Sequence, residues 1–407
     1  MNTHPDFRSP VFLRDHIART LAFYRPVAPD PAGGFFHYFR DDGSVYDRGH
    51  RHLVSSTRFV FNFARAFREW KDPEDRRLAE HGLDFLHTAH REPDGAYLWT
   101  LRDGLPEDRT RHAYGHAFVL LAHATALEAG LGEALSGLRE VWELLETRFY
   151  DPEAGLYRDE ATPDWHFSPY RGQNANMHLC EAMIAAYTAT GERHFLDRAA
   201  QLAHRMTRDE AALGGGLIWE HYGPDWQIDW EYNRDHPRDL FRPWGFQVGH
   251  QIEWAKLLLI LDRLDPSPWR RERAQELFDR AWALGWDEAQ GGLYYGIRPD
   301  GAVADPEKYF WVQAEAIAAS AHLACATGEE RYWQSYESLW NYAWTFFIDH
   351  RHGAWYRILT ADNRKISDEK SPAGKCDYHT MGACYEVLGL IDPEPGRVVK
   401  PVLKCPL

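Results

Sequence analysis

Two histidine–glutamate pairs mark the 407-residue chain: His178 with Glu181, and His250 with Glu253. Each pair is spaced i, i+3, so on a helix both side chains share one face. The second pair opens GHQIEWAKLLLIL (249–261), which is apolar nearly all round and so reads as buried. Charge in such a place needs partners, because burying it alone is costly. Similar polar residues open other helical segments. Arg58 lies in LVSSTRFVFNFA (53–64), Tyr114 in RHAYGHAFVLLA (111–122) and Asn176 in QNANMHLCEA (173–182). Trp311 and Glu315 lie in YFWVQAEA (309–316), and Asp377 and His379 in KCDYHTMGACYEVL (375–388).

Several chemistries fit parts of this set. Histidine and carboxylate ligate zinc and iron, but neither H-E-x-x-H nor the Glu-x-x-His of di-iron bundles occurs, so no metal is expected. No G-x-S-x-G, P-loop or strand-led G-x-G-x-x-G supports a hydrolase elbow or a nucleotide site. Glycoside hydrolysis needs two carboxylates flanking a bond, and Glu181, Glu253 and Glu315 could supply them. Several histidines with an arginine point instead to proton transfer beside a carbonyl. An imidazole can take and return a carbon-bound proton near neutral pH, while an arginine and a second histidine hold the enediolate oxygen. That set suits sugar isomerisation or epimerisation without metal, nucleotide or other cofactor. Each residue also has a plainer reading. With 22 histidines in the chain, any one is more simply a satisfied core residue, Arg58 and Glu315 would serve as a structural ion pair, and Tyr114 and Trp311 as core aromatics.

The elements that must position these residues repeat. A turn made of Asp/Pro, glycine, aromatics and a second polar turn recurs six times, with reference glycines Gly34, Gly95, Gly155, Gly216, Gly292 and Gly353. Their spacings are 61, 60, 61, 76 and 61 residues. Each copy reads as a short β-hairpin arm whose glycine takes a backbone angle other residues avoid. Two helical segments lie between copies: Leu53–Trp70 with Pro73–His90, Arg111–Ala129 with Glu133–Phe149, Asn176–Thr190 with Arg193–Thr207, Gly249–Leu264 with Trp269–Trp286, and Trp311–Thr327 with Glu330–Phe347. The first of each pair is apolar and should line an interior; the second is more charged and should face water. Phe12–Tyr24 and Tyr378–Leu390 are left to pair and close a ring, since an open array would need polar caps. The expected fold is all-α, an (α/α)6 barrel of about twelve helices with short β-hairpin arms at one end, in one domain spanning 1–407. The 76-residue interval exceeds the usual 61 by 15, and the excess falls in WQIDWEYNRDHPRDLFRPW (226–244), a long loop leading to His250.

Composition narrows the setting. Hydrophobic residues make up 44% and charged ones 26%, ordinary for a globular chain. A net charge of −15 argues against nucleic-acid or anionic-membrane partners. No signal peptide or membrane span is visible. Five cysteines without a C-x-x-C (Cys180, Cys325, Cys376, Cys384, Cys405) suit reduced thiols in the cytoplasm. The sequence is silent on whether the chain forms a homo-oligomer.

The segments SSTRFVFNFA (55–64), YGHAFVLLA (114–122), NANMHLCEA (174–182), YNRD (232–235), FRPWG (241–245), GHQIEWAKLLL (249–259), WVQAEA (311–316) and DYHTMGACYEVL (377–388) resemble the N-acylglucosamine 2-epimerase superfamily over nearly the whole chain. They look most like its bacterial aldose–ketose isomerase branch acting on mannose, which often has Tyr where Trp244 stands. The resemblance implies an (α/α)6 barrel and a metal-independent isomerase interconverting D-mannose and D-fructose, with D-lyxose and D-xylulose as near relatives. It also implies His250 and His379 as the acid/base pair, Arg58 and His178 at the sugar oxygens, and Tyr114, Trp311 and Glu253 shaping the site. Asn176, Glu315 and Asp377 complete the expected monosaccharide contacts. The alternatives are a 2-epimerase of N-acylglucosamine or cellobiose-type sugars, and a glycoside hydrolase or glycan-binding barrel.

Overall fold

The computed structural model describes residues 4–392; Cys405, among the cysteines expected as thiols, lies outside them, and the other four are not joined in disulfides among the described residues. Six helices form an inner ring: α2 (Leu53–Trp70), α4 (Ala113–Ala129), α6 (Gln173–Thr190), α9 (Val248–Leu264), α11 (Phe310–Thr327) and α13 (Tyr378–Ile391). Six more lie outside: α1 (Pro10–Tyr24), α3 (Pro73–Phe85), α5 (Ala134–Leu144), α7 (Arg193–His204), α10 (Pro268–Gly285) and α12 (Glu330–Phe346). A single turn, α8 (Ala211–Leu213), follows α7. Prolines at the first turn start α1, α3 and α10, and left-handed Gly130, Gly191 and Gly328 end α4, α6 and α11. Inner helices bury residues on every side; Phe310 to Leu323 on α11 is buried except at Trp311.

The ring closes twice. As the sequence suggests, α1 packs on α13, and α13 sits between α11 and α2. The seam is hydrogen-bonded: Asn62 Nδ2 donates to the Cys376 carbonyl (2.7 Å) and Tyr24 Oη to Asp377 (2.6 Å). The arms close as well. A short strand before each inner helix pairs antiparallel with the next arm: His50–His52 with Thr100–Arg102, Arg111–His112 with Glu160–Ala161, Arg171–Gly172 with His221–Tyr222, Phe246–Gln247 with Gly296–Ile297, and Lys308–Tyr309 with Ile358–Leu359. Glu369–Ser371 then pairs with Tyr38–Arg40, joining the last arm to the first. Because Arg111 and His112 belong to such a strand, α4 starts two residues later than the periodicity predicts. After α3, α5 and α7 the predicted ends, near His90, Phe149 and Thr207, are wound as π-helical turns.

All six reference glycines have positive φ, between 66° and 89°. The backbone just beyond each is fastened to an inner helix. The N–H groups of Tyr97, Tyr157, Ile218, Leu293 and Trp355 donate to His116, Asn176, Gln251, Gln313 and Asp377 at 2.8–3.2 Å. Asn176, Gln251 and Gln313 also donate to the carbonyl of the same arm residue. Ser56, at the equivalent place on α2, is too short for this and bonds His37 of the first arm and His90 at the end of the turn after α3 instead. Buried peptide groups left unpaired cost about 1–3 kcal/mol each. Gln313→Ala strips partners from both the N–H and C=O of Leu293, so it should lower unfolding stability by about 2–4 kcal/mol, read as a drop in the urea midpoint at unchanged m-value.

Candidate active site

Two residues along a helix are turned by about 200°, so they face opposite ways. The anchors at 56, 116, 176, 251, 313 and 377 face the arms, and the residues two before or after them face the barrel axis. Those residues include Arg58, Tyr114, Asn174, His178, Glu253, Trp311, Lys375 and His379, and all eight line one cavity at the arm end. It holds about 100 Å³, by a measure on which one water needs roughly 10–15 Å³, so it suits a small polar molecule. Asn176 and Asp377, expected at the substrate, are anchors and do not reach the cavity. Asp377 takes a left-handed φ of 54°, held by Lys375, Tyr24, Thr380 and the Trp355 N–H, and so sets the start of the helix that carries His379. Glu315 stands behind His379 rather than in the lining.

Three imidazoles are held the same way, with Nδ1 on a carboxylate. His379 Nδ1 lies 2.7 Å from Glu315, His250 Nδ1 2.9 Å from Glu220, and His178 Nδ1 3.0 Å from Glu181. Gln173 Nε2 also meets Glu220 and His250 Nδ1, and its Oε1 is fixed by the Trp254 indole N–H. Such pairing fixes a ring's orientation and leaves Nε2 for chemistry. The Trp311 ring stands between two of them, with centroids 5.0 Å from His250 and 5.8 Å from His379. Arg58, held by the Gly374 carbonyl, is sandwiched between the Phe118 and Tyr378 rings at 4.4 and 4.8 Å; it does not pair with Glu315, whose second oxygen meets Lys256 Nζ at 2.6 Å.

Burial separates the charge states. Burial, with Arg58 and His178 nearby, holds His379 well below the usual imidazole range, so the ring is neutral. Burial lowers His178 as well, against its bond to Glu181. Burial pushes Glu181 up, but His178, Lys256 and Tyr378 outweigh it and hold the acid down at about 2. Glu253 goes the other way: burial and the neighbouring Glu315 raise it well above the carboxylate range. Neither of its oxygens has a hydrogen-bond partner among the described residues, with His178 Nδ1 3.9 Å from Oε1, so it faces the cavity as a neutral acid able to donate a hydrogen bond.

Two groups bring potential metal ligands within 4.8 Å of one another: His178, Glu181 and Glu253, and Glu253, Glu315 and His379. In each group the histidine Nδ1 is already paired with a glutamate, the Lys256 ammonium occupies the second oxygen of Glu315, and burial holds Glu253 in its neutral, poorly ligating form. The arrangement is one of hydrogen-bonded pairs rather than a ligand shell. Glycoside hydrolysis loses its second carboxylate as well, because Glu253 is the one acid among the described lining residues.

The long 226–244 loop covers the cavity through Leu240, Phe241 and Pro243. Phe241 nests against His52, Trp99 and Tyr114, with ring centroids 5.5–6.2 Å apart. Arg242 pairs with Glu160 (2.6 Å), and Arg238 with Glu307 (2.8 Å). Sequence reasoning missed Phe241, Glu220, Gln173, Lys256 and Arg357. The available signal for Glu220 and Arg357 was a charged residue four places after the reference glycine of an otherwise apolar arm; for Lys256 it was a lysine inside an apolar run.

The family model for N-acylglucosamine 2-epimerase matches residues 34–383. A protein named D-mannose isomerase from Marinomonas mediterranea is 53% identical over 95% of this chain and 98% of its own length. A crystal structure of D-mannose isomerase superposes with a TM-score of 0.94 at 53% identity, covering 95% of this chain and 99% of the other. A cellobiose 2-epimerase from Eubacterium cellulosolvens is 23% identical over 94% of this chain and 98% of its own length.

Keeping Glu253 protonated has a thermodynamic signature. A carboxyl raised on folding contributes stability that is full below its unfolded pKa and is lost as pH rises towards the folded value. Glu253→Gln keeps the shape without the titration. Wild type should therefore lose stability relative to the variant as pH rises above about 4.5, by up to ~1.4 kcal/mol per pH unit, while the two follow parallel courses at lower pH. Thermal unfolding of both proteins across pH 4–9 checks this.

Proposed function

The chain belongs to the N-acylglucosamine 2-epimerase family, and on that footing we propose that it is an aldose–ketose isomerase interconverting D-mannose and D-fructose. One observation carries the proposal: two imidazoles, each backed by a carboxylate, flank Trp311 in one small cavity beside a buried arginine. The negative charge and the lack of disulfides among the described cysteines suit a reducing, cytoplasmic setting.

The pyranose must open first, and His250 moves the proton from the anomeric hydroxyl to the ring oxygen. His379, neutral with its Nδ1–H given to Glu315, takes the C2 proton on Nε2. The C2–H electrons form the C1=C2 bond, and the carbonyl electrons move onto O1. Arg58 and His178 hold the resulting cis-enediolate, with Glu253 as a neutral donor beside them. The O2 proton passes to O1 as C2=O forms, and the C1=C2 pair takes the proton back from His379 at C1. One proton is removed and one returned, so no oxidant or reductant is called for. A 2-epimerase would instead reprotonate C2 on the opposite face, which needs a second acid, the part His250 would take.

Turnover in D2O separates the two. D-mannose should yield fructose labelled at C1, with label at C2 of an aldose far slower; label confined to aldose C2 would make the protein an epimerase. His379→Ala and His250→Ala should each reduce kcat by at least ~10²–10⁴-fold with the fold intact by circular dichroism. Near-normal turnover in either variant would remove that residue's role.

A further inference from the structure

The mechanism leaves a chain of buried charge unused. Below His379, Glu315 Oε1 meets the imidazole and Oε2 meets Lys256 Nζ (2.6 Å). Lys256 also meets Glu386 (3.1 Å), and Glu386 meets His322 Nε2 (3.3 Å). Lys256 is 3% exposed, on α9 among apolar neighbours. A lysine so placed is costly unless it offsets something, and four acids surround it: Glu181 from α6, Glu253 from α9 itself, Glu315 from α11 and Glu386 from α13. Arg58 and His178 add their fields at His379 from α2 and α6.

We propose that Lys256 is a positioning residue for His379: its ammonium keeps Glu315 an anion, so the imidazole is locked as the Nδ1–H tautomer with its Nε2 lone pair free. This rests on the assignment of His379 as the base that moves the carbon-bound proton. His379 and Glu315 share one proton and titrate as a pair. With one proton the pair is basic at Nε2. With two, either Glu315 is neutral or the imidazole is a cation, and no lone pair faces the sugar. The positive charge of Lys256 favours the one-proton state, and the negative charge of Glu386 opposes it. The balance is consistent with Glu315 being pushed up to about 7 by burial, with Lys256 pulling against burial and Glu386 adding to it.

The two charges therefore predict shifts of opposite sign, which loss of packing would not produce. Charges at this range move a carboxyl by about 1–3 pH units. In Lys256→Met the acid limb of kcat/KM should move up by at least about one unit. Its activity at pH 7 should fall roughly 10–100-fold and recover as pH is raised, with KM little changed. In Glu386→Gln the limb should move down, and Lys256→Arg should leave it in place. An acid limb unmoved in Lys256→Met, or moved the same way in Lys256→Met and Glu386→Gln, overturns the proposal; if Lys256→Met does not fold, an unmoved or raised limb in Glu386→Gln does so alone. A second arm needs no turnover and separates this proposal from the choice of sugar. Long-range ¹H–¹⁵N correlation on ring-labelled protein, with His379→Asn to assign the signal, should report the Nδ1–H form of His379 in wild type at pH 8 and its loss in Lys256→Met. An Nε2–H imidazole in wild type would end the idea whatever the enzyme acts on.

Discussion

Six hairpins crowd one end of the barrel, and the peptide groups at their bends are cut off from water. Each must find a partner inside the protein, and in five arms that partner is a side chain at the head of an inner helix, in its first turn or, for Asp377, at its N-cap. This requirement fixes more than the arms. With the anchor turned outward, helix geometry turns the residues two places away toward the axis. The cavity lining is thus the other face of the hairpin anchorage, and a repeat that solves a backbone problem six times presents up to twelve inward positions for chemistry.

What fills those positions is electrostatically crowded. Glu181, Glu253, Glu315 and Glu386 lie close together around one lysine, with Arg58 above them. They cannot all be ionised: burial raises every one, and their partners decide which stay charged. Glu181 and Glu386 stay charged, at about 2, while Glu253 is forced neutral. His178 and His379 take their tautomer from their carboxylate partners, since a carboxylate at Nδ1 accepts the ring proton there and leaves Nε2 bare. An apolar core would have been simpler to fold. The charged one holds three rings in fixed orientation around a small space, as transfer of a carbon-bound proton requires.

Much of this was legible beforehand. The six glycines disclosed the period, and helix ends at Trp70, Ala129, Thr190, Leu264 and Thr327 fall where the pattern puts them, because left-handed residues and loop signals follow most of them. The structure gathers Arg58, Tyr114, His178, His250, Glu253, Trp311 and His379 around one cavity. Asn176 and Asp377 went astray for a definite reason. A polar residue at the head of a buried helix announces that it needs a partner, and residue type does not say whether that partner is a backbone or a ligand. The phase would have said so: His116, Asn176 and Gln313 each stand 21 residues after their glycine, a column of hydrogen-bonding side chains with a shared structural duty. Glu220 and Gln173 could not be found this way, since their partnership with His250 joins segments 30 and 77 residues apart.

His250 itself breaks the pattern. It stands one residue from its anchor, Gln251, not two, so its ring points between arm and axis and meets a carboxylate supplied by the arm. The same repeat carries the 15-residue excess, and that extra chain is what roofs the cavity with Phe241. Two departures from sixfold regularity thus coincide in one repeat, and both bear on a single sugar-sized space. A symmetric ring offers six similar walls and no preferred orientation for an asymmetric substrate. An imidazole set off the common column and a roof pinned through Arg238 and Arg242 to arms on either side give the space a top and a direction. Regularity builds the barrel; the repeat that breaks it here gives the cavity unlike sides.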